Sequence, residues 1–288
     1  MLQVARLAPK LLGESADLVA GYLRSQQNPD GGFQDRAGTS DLYYTVFGLE
    51  GLIALRADLP IGSALTYLRS FGTGADLDFV HLACLARCWA ALPPDLRAEA
   101  PADAIAGRVE SYRSSDGGYA AEPGQADGTL YGCFLALGTY QDLGRPLVDP
   151  AGMLRCAARL RAADGGYANQ QDVPQGLTPS TAAAVTLLRQ LEAPIPPGLD
   201  RWLLSRCSPD GGFFATPMAP LPDLLSTATA LHALSSLHVS IDAIREPCLD
   251  FIDTLWTGKG GFHGNWADDI LDSEYTFYGL LALGHLSV

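Results

Sequence analysis

A four-residue turn, Asp-Gly-Gly followed by an aromatic residue, recurs along the chain, and a repeat at fixed spacing constrains a fold more tightly than composition does. It stands as Asp30-Gly31-Gly32-Phe33, Asp116-Gly117-Gly118-Tyr119, Asp164-Gly165-Gly166-Tyr167 and Asp210-Gly211-Gly212-Phe213, with a degenerate copy at Lys259-Gly260-Gly261-Phe262. The aspartates at 116, 164 and 210 stand 48 and 46 residues apart, whereas those at 30 and 116 are 86 apart, nearly a double step. An eroded copy is therefore expected between them, and Ser70-Phe71-Gly72-Thr73-Gly74 occupies its place. The chain then reads as six units.

Each unit follows one grammar. Before the turn comes a run such as LVAGYLRSQ or MLRCAARLRA, with apolar residues at steps of three and four and charged residues between. That spacing predicts an amphipathic helix with a solvated face. After the turn comes a second run, such as LYYTVFGLEGLIAL or EYTFYGLLALGHL, apolar nearly all round and so expected to be buried. Paired glycines permit positive φ and end the first helix. The aromatic that follows is expected to pack between repeats. A linear stack needs polar caps at both ends, yet the first and last units read as ordinary members, so closure into a ring is preferred. The expected fold is all-α, an (α/α)6 toroid of six outer and six inner helices filling 1–288 as a single domain.

With a net charge of −13 and a pI of about 4.6, the chain is a poor match for nucleic acid or anionic membranes. No apolar run is long enough to span a bilayer, and the first residues lack a signal-peptide pattern. A cytoplasmic protein is expected. The six cysteines, at 84, 88, 133, 156, 207 and 248, lie in apolar helical runs without a CxxC pair and read as buried thiols.

An Asp-Gly-Gly-aromatic turn between outer and inner helices, repeated about every 45 residues, resembles the β subunits of protein prenyltransferases and the related terpene cyclases. The similarity covers essentially the whole chain. GGFFATPMAPLPDLLSTATALHAL and GGFHGNWADDILDSEYTFYGLLALG are similar to the last two repeats of the Rab geranylgeranyltransferase β subunit. The resemblance implies an isoprenoid or isoprenoid diphosphate held in an apolar central cavity, and a partner chain like the prenyltransferase α subunit. Tyr43, Tyr44, Phe47, Tyr131, Phe134, Tyr275, Phe277 and Tyr278 are the aromatics expected to line such a pocket. In that family an Asp, a Cys and a His hold zinc, which presents a cysteine thiolate to the allylic diphosphate. The matching positions here hold Asp223, Leu225 and Tyr275, so Asp223 is the one candidate catalytic residue that remains. The family's diphosphate grip of His, Arg, Lys and Tyr falls on Ala126, Pro217, Pro220 and Ser226, and no Lys or Arg lies between Gly211 and Leu237. No metal site and no resident cofactor are expected on this reading, zinc least of all.

The loops between turns and inner helices are acidic: Asp35, Asp41, Asp76, Asp78, Glu122, Asp127, Asp172, Asp223, Asp268, Asp269, Asp272 and Glu274, against Arg36 alone. In a ring they gather at one mouth, which suits a cation, a basic peptide, or magnesium bridging to phosphate. The plainer expectation is that they cap helix N-termini. Two further functions stay open. One is a non-catalytic binding module on a retained scaffold. The other is a protonating terpene cyclase, which needs an aspartate-rich acid motif; Asp76-Leu77-Asp78-Phe79 and Asp268-Asp269-Ile270-Leu271-Asp272 are its incomplete echoes. The histidines form no HxxxH pair, and His263 is the one singled out as a candidate ligand.

Overall fold

A computed structural model describes all of residues 1–288. In chain order the helices are α1 (Leu2–Ala5), α2 (Pro9–Leu12), α3 (Ser15–Ser25), α4 (Leu42–Ala54), α5 (Ile61–Ser70), α6 (Phe79–Ala91), α7 (Pro94–Arg97) and α8 (Ala102–Val109). They continue as α9 (Leu130–Asp142), α10 (Pro150–Arg159), α11 (Thr178–Gln190), α12 (Leu199–Leu204), α13 (Leu224–Ser236), α14 (Asp242–Leu255) and α15 (Ser273–Leu286). Six outer helices (α3, α5, α8, α10, α12, α14) alternate with six inner ones (α4, α6, α9, α11, α13, α15), which is the α/α-toroid pattern the repeat predicts. The eroded second unit is real: α5 ends at Ser70, Gly72 and Gly74 both adopt positive φ, and Asp78 caps α6.

The turn motif works through three devices. In three of the intact copies the aspartate accepts from the second glycine: Asp30 Oδ1 from Gly32 N, Asp116 Oδ1 from Gly118 N and Asp164 Oδ1 from Gly166 N, each at 3.0 Å. The first glycine has φ between 82° and 97° in all five recognisable copies, a region where a Cβ is strained. The aromatic, Phe33, Tyr119, Tyr167, Phe213 or Phe262, is buried in every copy. In four repeats its N–H is also fastened to a hydroxyl of the inner helix: Phe33 to Thr45, Tyr167 to Thr181 and Phe213 to Thr227 at 2.9 Å, and Phe262 to Thr276 at 3.4 Å.

The chain divides into two compact units, 1–64 with 200–288, and 65–199. In the first, α13 packs on α15, α15 on α4, and the short α1 on both α4 and α15. The last repeat meets the first within this unit: a Cβ on Gly260 would lie 2.4 Å from the Leu18 carbonyl oxygen of α3. In the second unit α6 packs on α9 and α9 on α11. The inner helices α4, α9, α11 and α13 end alike, on a left-handed residue (Arg56, Gly144, Glu192, His238) whose successor donates back five residues to the helix, the usual C-terminal closure.

A proline suits a helix's first position, but α14 begins at Asp242 and runs through Pro247. The proline removes one ladder hydrogen bond, and its carbonyl is the group against which Gly211 sits, a Cβ there falling 1.8 Å from that oxygen. The proline-rich stretch after Leu92 holds the short helix α7, with Pro94 at its start. Five of the six cysteines are buried and all are free thiols.

Candidate functional site

Inner helices α4, α13 and α15 of the first unit are set in one register by an aspartate at each N-cap. Asp41 accepts from Tyr43 N and Tyr44 N, Asp223 from Ser226 N, and Asp272 from Tyr275 N. Each carboxylate satisfies amides that no helical carbonyl can reach, so the capping role expected of these acids holds. Counting from the cap, positions +2, +3 and +6 are Tyr43, Tyr44 and Phe47 on α4, and Glu274, Tyr275 and Tyr278 on α15. On α13 they are Leu225, Ser226 and Thr229. On α15 only Glu274, Tyr275 and Tyr278 are partly exposed while every other residue is buried, and on α4 only Tyr43, Tyr44 and Ile53 escape burial. The open face of these two helices is therefore aromatic and carries one carboxyl group.

The rings form a continuous set. Tyr43 meets Phe47 edge-on at 4.9 Å, and Phe47 reaches Tyr278 at 5.5 Å and Phe277 at 5.7 Å. Phe277 is only 2 % exposed and backs the set rather than facing outward. Arg36, from the loop after the first turn, bridges to the last repeat: its Nε donates to Asp272 at 2.7 Å and its Nη2 to Asp268 at 2.8 Å. The guanidinium also lies over Tyr275, 5.3 Å from the ring centre. The one cation among the acidic loops thus neutralises two of them.

Glu274 differs from its acidic neighbours. Tyr43 donates to its Oε1 at 2.5 Å, and the residue keeps part of its surface open. Burial pushes the carboxyl up to about 7, reinforced by the charge of Asp272 and opposed by the Tyr43 hydrogen bond. Near neutral pH it is a half-protonated acid set against aromatic rings. Sequence reading placed Glu274 only among the acidic loop residues. The signal that marks it is its register, two residues past a capping aspartate, where the other inner helices of this unit carry Tyr43 and Leu225.

Asp223 has both oxygens occupied by one residue, Oδ1 by Ser226 N at 2.7 Å and Oδ2 by Ser226 Oγ at 2.8 Å. Burial raises its pKa. With Leu225 and Tyr275 at the other two positions, the donor set does not fit zinc, and no group of three or more His, Cys, Asp or Glu side chains able to hold a metal occurs in the chain. His263 is half-buried and its Nδ1 meets no hydrogen-bond partner. The histidine pair that does form is one that linear spacing could not show: His232 Nδ1 and His285 Nε2 lie 3.1 Å apart between α13 and α15.

Tyr131 and Phe134 belong to the second unit, on α9. Tyr131 is 43 % exposed, its N–H donating to Asn169 Oδ1, and Phe134 is half-buried. There Glu110 accepts from both Tyr119 and Tyr140 and pairs with Arg113, a cluster that anchors the third repeat.

Six outer–inner helix pairs joined by Asp-Gly-Gly-aromatic turns define an α/α toroid. The prenyltransferase alpha-alpha toroid domain family matches residues 10–68 and 181–286, more than half of the chain, and the chain belongs to it. Among solved structures, it is similar to the type II terpene cyclase MstE from Scytonema. A variant of that enzyme bound to geranylgeranyl dihydroxybenzoate aligns at a TM-score of 0.64 with 12% identity over 97% of each chain. The apo enzyme aligns at 0.63, covering 100% of this chain and 98% of that one. Protein geranylgeranyltransferase-I from Candida albicans, complexed with GGPP, aligns at 0.55 with 14% identity over 99% of this chain and 81% of that one. At such identities the likeness is one of fold. No curated protein matches the chain in sequence.

Proposed function

We propose that this chain binds an isoprenoid along the aromatic stripe of α4 and α15 and initiates its rearrangement by proton transfer from Glu274. The observation that carries this reading is the partly buried Glu274 carboxyl, its Oε1 held by Tyr43 beside the aromatic set and its pKa raised to about 7. The proton on Oε2 adds to an alkene carbon and leaves a carbocation on its neighbour. Ring closure moves that charge along the chain, and loss of a proton to solvent ends the sequence with no net change in composition. Tyr43, Tyr44 and Tyr278 offer π-faces to the cation, with Phe47 buried behind them, and the Tyr43 hydrogen bond supports the carboxylate left behind. Cysteine prenylation draws no such support, because Leu225 and Tyr275 replace metal ligands and the loop before α13 offers no cation for a diphosphate.

The test separates binding from chemistry. The protein is incubated with geranylgeranyl diphosphate in D2O, retention is read by native mass spectrometry, and dephosphorylated products are analysed by gas chromatography with mass detection. The expected outcome is a cyclised isomer bearing one carbon-bound deuterium, formed by the wild type and reduced at least a hundredfold in Glu274→Gln, with retention unchanged. Retention without any deuterated product would overturn the proton-donor role and leave isoprenoid binding standing. Failure to retain the isoprenoid would overturn both.

A further inference from the structure

A second site lies at the other end of α4, roughly 15 Å along the helix from Tyr43 at 1.5 Å per residue. There the chain leaving α1 and the C-terminal end of α4 enclose a cleft of about 640 Å³, within the range of small-molecule sites. Leu7, Ile53, Ala57 and Leu59 supply an apolar floor, and Arg6 and Arg56 stand on its walls. In a chain of net charge −13, several arginines meet a carboxylate, among them Arg36, Arg69, Arg87, Arg113, Arg145, Arg155, Arg159 and Arg245. Arg6 and Arg56 do not. Arg6 meets only the neutral side-chain oxygen of Gln3, at 3.2 Å. Asp58 follows closely in sequence but does not line the cleft.

Two unneutralised guanidinium groups over an apolar floor suit one chemistry. We propose that this cleft binds a small amphiphile, with its oxyanion head, carboxylate or phosphate, on Arg6 and Arg56 and its hydrocarbon body on Leu7, Ile53, Ala57 and Leu59. Planar guanidinium donors match either head in bidentate fashion, and removing the hydrocarbon from water supplies the remaining drive. The proposal is independent of the reaction assigned to Glu274.

Isothermal titration of the full chain with decyl phosphate, decanoate, decanol and inorganic phosphate tests it. Either anionic amphiphile is expected to bind at one per chain, with decanol and inorganic phosphate at least tenfold weaker. The Arg6→Gln/Arg56→Gln double variant is expected to lose at least tenfold in affinity at an unchanged melting temperature, since both side chains reach solvent. Glu274→Gln is expected to bind as the wild type does, which separates this cleft from the aromatic stripe. Equal binding of decanol would reduce the cleft to a greasy surface, and undiminished binding by the double variant would remove the arginines from the site. Either result overturns the proposal, as does the absence of binding by both anions.

Discussion

Glu274 and the pair His232 and His285 are buried titratable groups that respond to pH in opposite directions. Burial holds the Glu274 carboxyl at about 7, above the ordinary carboxylate value near 4.3. The stability tied to its neutral form is complete below that ordinary value and is lost as pH rises through about 7. Glu274→Gln keeps a neutral group at every pH, so its stability relative to wild type should rise between pH 4.5 and pH 8, by up to about 3 kcal/mol. Urea unfolding at the two pH values measures this, and a difference independent of pH would show that folding leaves the carboxyl's pKa unchanged. The histidines run the other way. Burial lowers His232 to about 3 and His285 to about 4, below the usual 6.5, so their contribution stands above that value and falls away as acid is added.

The repeated hydroxyl between turn and helix is the element-scale device. Thr227 Oγ1 accepts from Phe213 N and donates to the Asp223 carbonyl at 2.7 Å, and Thr45 and Thr276 do the same in their repeats. Thr227→Val keeps the shape and leaves the buried Phe213 amide unpaired, which should cost about 1–3 kcal/mol, whereas Thr227→Ser should recover most of it. Chemical denaturation of the two variants makes the comparison, and equal midpoints would mean the hydroxyl is dispensable. The pattern was legible: Asp41 to Thr45, Asp223 to Thr227 and Asp272 to Thr276 share one spacing. The start of α14 was not. A proline is well tolerated at the first helical position, and nothing local in the sequence distinguishes that from Pro247 well inside the helix, where Gly211 packs against its carbonyl.

At the scale of the whole molecule, glycines in equivalent turns carry unequal loads. Gly260 and Gly165 both adopt φ near 94°, so alanine strains each backbone alike. Only at Gly260 does the new Cβ also strike a neighbour, the Leu18 carbonyl of the first outer helix at 2.4 Å; at Gly165 the nearest atom is the Arg161 Nη2 at 3.8 Å. Gly260→Ala should therefore lower stability by at least about 2 kcal/mol more than Gly165→Ala. Comparative thermal melts read it out, and equal losses would show that the last repeat does not press on the first. No helix is long and apolar enough to cross a membrane, as the short apolar runs imply.

The chain's own order of residues determined the six outer–inner pairs, the buried turn aromatics and the capping aspartates, because helix periodicity, glycine at positive φ and N-capping act within a few residues. Tertiary structure alone decided what the inner faces can do. Arg36 answers Asp268 and Asp272 from more than two hundred residues away, Tyr43 takes up Glu274, and His232 finds His285. A carboxyl has its pKa raised only through the groups that partly shield it from water, and here Tyr43 arrives from the opposite end of the sequence.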